Sequence, residues 1–391
     1  MKTFLAAVAL LTLAACGQAQ GQGASTTASP TTPSPLLYAV LEAKGTQNAW
    51  TYNTVAIAGL DGQARATATF EPMPVPSLGC MGAVLPPSAH VAAGKVFYAD
   101  GKGVIRSLSA DGTIATVATF PMTSAQQMLS FAVSPDGAHI IGTLFTAPKT
   151  AQLACSGSSS GTFAFDAYTV TGPTTTQLVY HQSSTTAPAK VLALIGWDAL
   201  GPFGTYPTVW ATQGGGPGSD LGVYVRVDAT TLKPGAPFSD PGSCRVWNSV
   251  SSGAFVCLKD GAITNGGTAQ QQVAVPVSVR RADGTELWRF TVSSANGAWS
   301  PVLAPDEQHV VVCCADVDSG SAYLLVGRDG SQVKLAKGFY GAAWLNATTL
   351  AGDFNTDPLK QPPFPLSYVG TTAPLAAVSM GLSGHVVASL S

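Results

Sequence analysis

Seven cysteines, five histidines and one concentration of aromatic rings carry most of the chemistry open to this 391-residue chain. Gly157-Ser158-Ser159-Ser160-Gly161 spells G-x-S-x-G, but a serine nucleophile in that frame needs a strand before it and a helix after it. Here the pentapeptide follows Cys155 in a serine-rich stretch and leads into GTFAFDAYTV, so a loop is expected. Asp316-Val317-Asp318-Ser319-Gly320 offers too few oxygen ligands for a calcium loop and reads as a hairpin turn. His90, His139, His181, His309 and His385 stand far apart, and no carboxylate pair forms an obvious acid/base couple. Structural roles are therefore expected for them, and no catalytic residue, metal or cofactor is assigned. The segment IGWDALGPFGTYPTVWATQGGGPGSD (195–220) gathers Trp197, Phe203, Tyr206 and Trp210 among glycines and prolines. Aromatics on such a loop can stack on a sugar or grip a peptide. The competing reading is that the rings fill core between sheets.

The elements that must position these groups begin after an address segment. Met1 and Lys2 precede an apolar run from Phe4 to Ala15, followed by Cys16 and Gly17. About a dozen residues are too few to span a bilayer, which needs ~20, but charge, apolar core and small residues match an export signal. Leu13-Ala14-Ala15-Cys16 resembles the lipobox of bacterial lipoproteins. That resemblance implies cleavage between Ala15 and Cys16, with acylation of the cysteine and of the new amino terminus. Residues 16–35 continue as GQAQGQGASTTASPTTPSP after the cysteine, without a large apolar side chain. Such a composition forms a flexible tether rather than a core, with a reach of roughly 25 Å. The domain reading is thus 1–15 signal, 16–35 lipidated cysteine and tether, and 36–391 body.

With Cys16 set aside, six cysteines remain: Cys80, Cys155, Cys244, Cys257, Cys313 and Cys314. An even set outside the cytoplasm permits disulfides. In CRVWNSVSSGAFVC, a hairpin centred on Val250-Ser251 sets Cys244 opposite Cys257, where cross-strand Cβ atoms lie ~4.5–5.5 Å apart. Cys313 and Cys314 are neighbours, and Cys80 with Cys155 is the residual pairing.

The body shows no amphipathic helix. It is a series of short β-rich runs punctuated by Gly, Pro and Asp-Gly, the pattern of an all-β sandwich, barrel or propeller. Internal repeats narrow the choice. FAVSPDGAHIIGTLF (131–145) aligns with VLAPDEQHVVVCCAD (302–316), with fainter copies at 249–261 and 341–354. SLSADGTIATVATF (107–120), VRRADGTELWRFTV (279–292) and LVGRDGSQVKLAKGF (325–339) each read strand, Asp-Gly turn, strand. Residues 299–339 assemble four strands in about 40 residues, the size of one propeller blade. This unit resembles the WD-like repeat of TolB-like β-propellers, with Ala304 and Glu307 in place of that repeat's serine and glycine. The resemblance implies a β-propeller, seven blades being favoured over six or eight. It also implies that LLYAVLE (36–42) and GHVVASLS (384–391) close the ring in one blade.

Charge excludes one class of function. Nineteen basic and 21 acidic residues are spread thinly, 10% of the chain against a usual ~25%, and no basic run marks a nucleic-acid surface. The expected function is a lipid-anchored, extracytoplasmic propeller that binds an envelope protein or polymer without catalysis. The alternatives are a propeller enzyme of lyase, glycosidase or lactonase type in the central funnel, or capture of a glycan or small ligand. Gly17 is not the aspartate that resembles an inner-membrane retention signal. Outer-membrane placement is expected in a two-membrane host, and the outer face of the plasma membrane otherwise.

Overall fold

The computed structural model describes residues 36–42, 52–74, 89–147, 162–172, 174–185, 192–206, 223–237, 245–249, 252–258, 273–281, 284–294, 299–313, 323–335, 339–354, 364–369, 376–379 and 384–390. The chain divides into Met1–Ser34 and Pro35–Ser391, and every described residue belongs to the second unit. The described residues form strands and turns, with no helix.

They build seven four-stranded antiparallel sheets. The first holds β1 (Leu37–Glu42), β2 (Thr54–Gly59) and β3 (Ala64–Thr69), and its fourth strand comes from His385–Ser389, β28 below. The second contains β4 (Ala89–Ala92), β5 (Lys95–Ala99), β6 (Val104–Leu108) and β7 (Ile114–Thr119). The third contains β8 (Gln127–Val133), β9 (Ile140–Thr146), β10 (Phe163–Val170) and β11 (Thr176–Ser184). In the fourth are β12 (Ala193–Asp198), β13 (Gly201–Tyr206), β14 (Val223–Val227) and β15 (Pro234–Pro237). The fifth runs through β16 (Arg245–Ser249), β17 (Phe255–Leu258), β18 (Val273–Arg280) and β19 (Glu286–Ser294). The sixth has β20 (Trp299–Leu303), β21 (His309–Cys313), β22 (Tyr323–Gly327) and β23 (Gln332–Lys334). The last has β24 (Phe339–Trp344), β25 (Thr349–Phe354), β26 (Phe364–Val369) and β27 (Ala376–Ser379).

In sheets two to seven the strands lie side by side in chain order, so each sheet is an up-and-down meander. First strands of neighbouring sheets pack together: β28 on β4, β4 on β8, β8 on β12, then β16 on β20, β20 on β24 and β24 on β28. Between the fourth and fifth sheets the contact runs through β14 and β16. The arrangement is an all-β propeller.

Its core is divided among the seams between sheets. Phe131 and Leu144 of the third sheet pack with Phe97 and Ile105 of the second, and Phe165 with Leu192 and Val225 of the fourth. Phe203 packs on Phe255, Val256 with Val310, and Leu325 on Trp344. Tyr38 and Val386 of the first sheet pack with Leu345 and Ala351 of the last, closing the ring. A sheet covered on both faces must be apolar on both, since successive side chains point to opposite sides. In β21, Val310 and Val312 enter one seam while Val311 enters the next. The outermost strands cover only one face and alternate: β3 buries Ala66 and Ala68 and exposes the residues around them.

Turn chemistry sets the hairpins. Gly62, Gly112, Gly284 and Gly330 lie at φ 73, 86, 88 and 86°, and each follows an aspartate. Their amides donate to the carbonyls of Gly59, Ser109, Arg281 and Gly327 at 2.9, 3.0, 2.9 and 2.9 Å. Left-handed φ is open to glycine at no steric cost, which is why the Asp-Gly pairs mark these hairpins. The Pro135 turn is closed by the Gly137 amide on the Ser134 carbonyl, 2.8 Å, and by the His139 amide on Ser134 Oγ, 2.9 Å. At Pro305 the Glu307 amide bonds the Ala304 carbonyl at 2.9 Å, and Glu307 itself adopts φ 62° where the other turn has glycine.

Two sequence expectations need correction. The β16–β17 ladder sets Val246 opposite Cys257, with a register shift between Val246 and Asn248, so the hairpin is not centred on Val250-Ser251. Cys244 itself lies outside the described residues. Second, the segment from residue 195 does not start as a loop. Residues 193–206 form the β12–β13 hairpin, turning over Ala199 and Leu200.

Candidate functional site

Of the four aromatic residues proposed as a ligand platform, Trp197 and Phe203 do not face one another. Trp197 pairs with Pro202 and Phe203 with Gly196, so the two rings leave opposite faces of the fourth sheet. Trp197 packs against the seam with the third sheet, and Phe203, 7% exposed, enters the seam with the fifth. Tyr206 ends β13, and Trp210 lies outside the described residues. The glycines around them serve close packing. A Cβ on Gly204 would fall 2.6 Å from the Ala193 carbonyl oxygen, and one on Gly196 3.0 Å from Phe203 Cζ.

Ala15, Cys16, Cys244, the 157–161 pentapeptide and residues 316–320 lie outside the described residues. Cys257 is buried on β17 beside Phe255 and Phe203.

Each histidine is held by the fold. His139 stacks on Trp197 at a centroid distance of 6.3 Å, and His309 sits 6.1 Å from Trp344. Both pairs bridge neighbouring sheets, each histidine following its Pro-Asp turn and each tryptophan near the end of the next sheet's first strand. Trp344 also donates from Nε1 to the Val302 carbonyl at 3.2 Å. His385 stacks with Tyr52 at 6.1 Å. His90, on β4, meets Phe131 edge-on at 4.7 Å, and its buried Nε2 has no hydrogen-bond partner. Burial lowers its pKa to about 4, against a smaller upward push from the Phe131 backbone. His181 Nδ1 lies 2.6 Å from Asp166 Oδ1 across the β10–β11 ladder. That pair orients an imidazole, which is the first half of an acid/base device. Among the described residues no group of three His, Cys, Asp or Glu side chains could hold a metal ion.

Sequence reasoning missed the ion pairs, which are the most constrained polar groups in the ring. Asp198, 3% exposed, receives Arg226 through both oxygens at 2.6 and 2.8 Å and caps the Leu200 amide at 2.9 Å. Arg226 also lies 5.7 Å over the Phe203 ring. Asp100, 5% exposed, accepts from Arg106 and from the amides of Lys102 and Val104, both at 2.9 Å. Glu307 accepts from Ser252 Oγ at 2.6 Å and Arg281 at 3.4 Å, and its carbonyl takes Trp288 Nε1 at 2.8 Å. Three contacts from the fifth sheet thus converge on one residue of the sixth. Asp61, Asp111, Asp136, Asp228 and Asp329 are held below the usual carboxylate range, Asp61 chiefly by Arg65 on β3 and the others chiefly by hydrogen bonds within their own turns. For Asp61, Asp111, Asp136 and Asp329 a short D-G or P-D motif was the signal, whereas Asp228 stands in Val227-Asp228-Ala229 and carries neither. For the ion pairs there was none, since the partners come together only through sheet register.

No family model matches the chain, and no curated protein matches it. Solved structures do. An oligogalacturonate lyase from Vibrio parahaemolyticus is 12% identical over 83% of this chain and 82% of that chain, with a TM-score of 0.44. TolB from Acinetobacter baumannii is 12% identical over 88% and 81%, with a TM-score of 0.40. Prolyl oligopeptidase B from Galerina marginata is 8% identical over 82% of this chain but 44% of that chain, with a TM-score of 0.41. The propeller assignment stands on sheet order and seam packing.

Proposed function

We propose that the chain is an extracytoplasmic β-propeller, held on a membrane by lipid on Cys16, that binds an envelope protein without catalysing a reaction. Each sheet is one blade of a seven-bladed ring, and Cys244 and Cys257 are joined by a disulfide. The observation that carries the reading is how the described acidic groups are used. Asp100 and Asp198 brace their own sheets, Glu307 joins two sheets, and the turn aspartates cap hairpins. That pattern makes a stiff frame, and a stiff frame presenting loops is what a binding module requires. The lipobox-like Leu13–Cys16 and the tether to residue 35 support the anchored location. The membrane is the outer one in a two-membrane host and the plasma membrane otherwise.

Crosslinking in native cells tests the function. One envelope protein recovered with the chain, and lost or reduced with Cys16→Ala, is expected. Recovery of no protein from cells that display the lipidated chain would contradict it.

A further inference from the structure

We propose that the outer edge of β11 pairs antiparallel with the same edge of a second copy, joining two rings through one continuous sheet. The outermost strand of each sheet turns a row of backbone amides and carbonyls away from its ladder, and proteins guard such edges with charge, proline or shortness. Among the seven outermost strands, β3 carries Arg65, β15 has Pro234 and Pro237, and β19 has Glu286 and Arg289. β23 has three residues including Lys334, and β27 has four. β7 has six, and its last carbonyl, on Thr119, accepts from the Thr176 hydroxyl at 3.0 Å. β11 runs for nine residues, TQLVYHQSS, without a lysine, arginine, aspartate, glutamate or proline. It is also open: Leu178 is 49% exposed, and Gln177, His181, Gln182 and Ser183 are exposed with it.

Register decides what this edge fits. Along an antiparallel ladder, residues alternate between turning their N–H and C=O toward the partner strand and turning both away. The Thr171 amide donates to the Thr175 carbonyl at 3.0 Å, which fixes the alternation at the hairpin end. Val179 is then an extra residue, since Ala167 pairs with Tyr180 and Tyr168 with Leu178. Thr176, Leu178, His181 and Ser183 are therefore the positions whose backbone groups face outward. They are symmetric about the bond between Val179 and Tyr180. A two-fold axis through that bond sets Thr176 opposite Ser183 of the second copy and Leu178 opposite its His181. The extra residue falls on the axis, so the two copies carry it opposite one another. Each outward N–H meets an outward C=O, the exposed Leu178 is covered, two hydroxyl residues face each other, and no like charges meet. His181 enters the contact already oriented, its Nδ1 2.6 Å from Asp166 Oδ1 on its own sheet. A strand that fits this edge must be uncharged and match its spacing, and β11 of a second copy does both.

A photo-crosslinking amino acid in place of Leu178 tests the pairing in the full chain, extracted from membranes in mild detergent, with ordinary and isotopically heavy copies mixed. Crosslinks between an ordinary and a heavy copy, mapped to residues 180–182, are expected. Crosslinks confined within one copy, or joining two copies through another segment, overturn the proposal. By sedimentation the unsubstituted chain should double in mass as it is concentrated, and Leu178→Lys should lose that doubling at an unchanged melting midpoint, because the side chain it replaces is exposed. A chain that stays single at every concentration, or a doubling that survives the lysine, overturns the pairing. If the lysine variant melts early, the crosslink map decides by itself.

Discussion

His90 is an aromatic-packed imidazole whose buried Nε2 has no partner, and burial holds it neutral. Its pKa is about 4 in the fold against 6.5 when exposed, so the unfolded chain binds the extra proton first. Its contribution to stability is therefore complete above pH 6.5 and is lost as pH falls from 6.5 to 4, then stays flat. The full swing is about 3 kcal/mol at 1.36 kcal/mol per pH unit. His90→Leu should remove that slope from urea-unfolding midpoints measured between pH 7.5 and 4.5; an unchanged slope would show that His90 is not the group responsible. The turn aspartates have depressed values, so their stabilisation is present at neutral pH and fails only below the usual carboxylate range. A second acid-induced loss should follow at lower pH and survive in the His90 variant. Trp197→Ala and Phe203→Ala remove rings from two different seams. Phe203→Ala should cost about 3–5 kcal/mol of stability and Trp197→Ala, at a half-buried ring, less, and a stable variant that had lost only ligand binding would revive the aromatic loop.

At the level of elements, the Pro-Asp hairpins show how one turn tolerates two sequences. Gly137 occupies left-handed φ freely, whereas Glu307 holds it at a cost of roughly 1–2 kcal/mol. Ser252, Arg281 and Trp288 offset that cost by fastening the residue to the fifth sheet. Glu307→Ala keeps the backbone cost and loses the carboxylate, while Glu307→Gly loses both. The alanine variant should unfold at lower urea than the glycine variant, by about 1 kcal/mol; the reverse order would mean the turn is unstrained. Hairpins of this kind were legible because Asp-Gly and Pro-Asp act locally. The β16–β17 register was not: a shift between Val246 and Asn248 sets Val246 opposite Cys257. The 193–206 hairpin was misread for a related reason. Gly196 and Gly204 read as loop residues, yet they sit within strands, where a Cβ on Gly204 would meet the Ala193 carbonyl and one on Gly196 would press the Phe203 ring. Pairings such as His139 with Trp197 needed the order of sheets, which no short motif encodes.

On the scale of the whole molecule, β28 joins residues 36–42 and 385–389 in one sheet, and no sheet in the ring is left without its first strand. Its removal would take Val386 from the closing seam and expose the edge of β1. Deleting residues 385–391 should abolish cooperative unfolding and promote aggregation, seen by light scattering. A deletion variant with an unchanged midpoint would contradict ring closure. The apolar runs, the repeats and this closure could all be anticipated, since a sheet buried on both faces leaves its mark on composition. The partner could not, because the acidic groups among the described residues are largely occupied in holding the sheets together. The most direct measurement is the mass of the tryptic peptide Cys16–Lys44 from chain isolated out of native membranes. A diacylglyceryl and an acyl group on a peptide beginning at Cys16 are expected. An unmodified Cys16, or a mature chain beginning elsewhere, would contradict a membrane-held binding module.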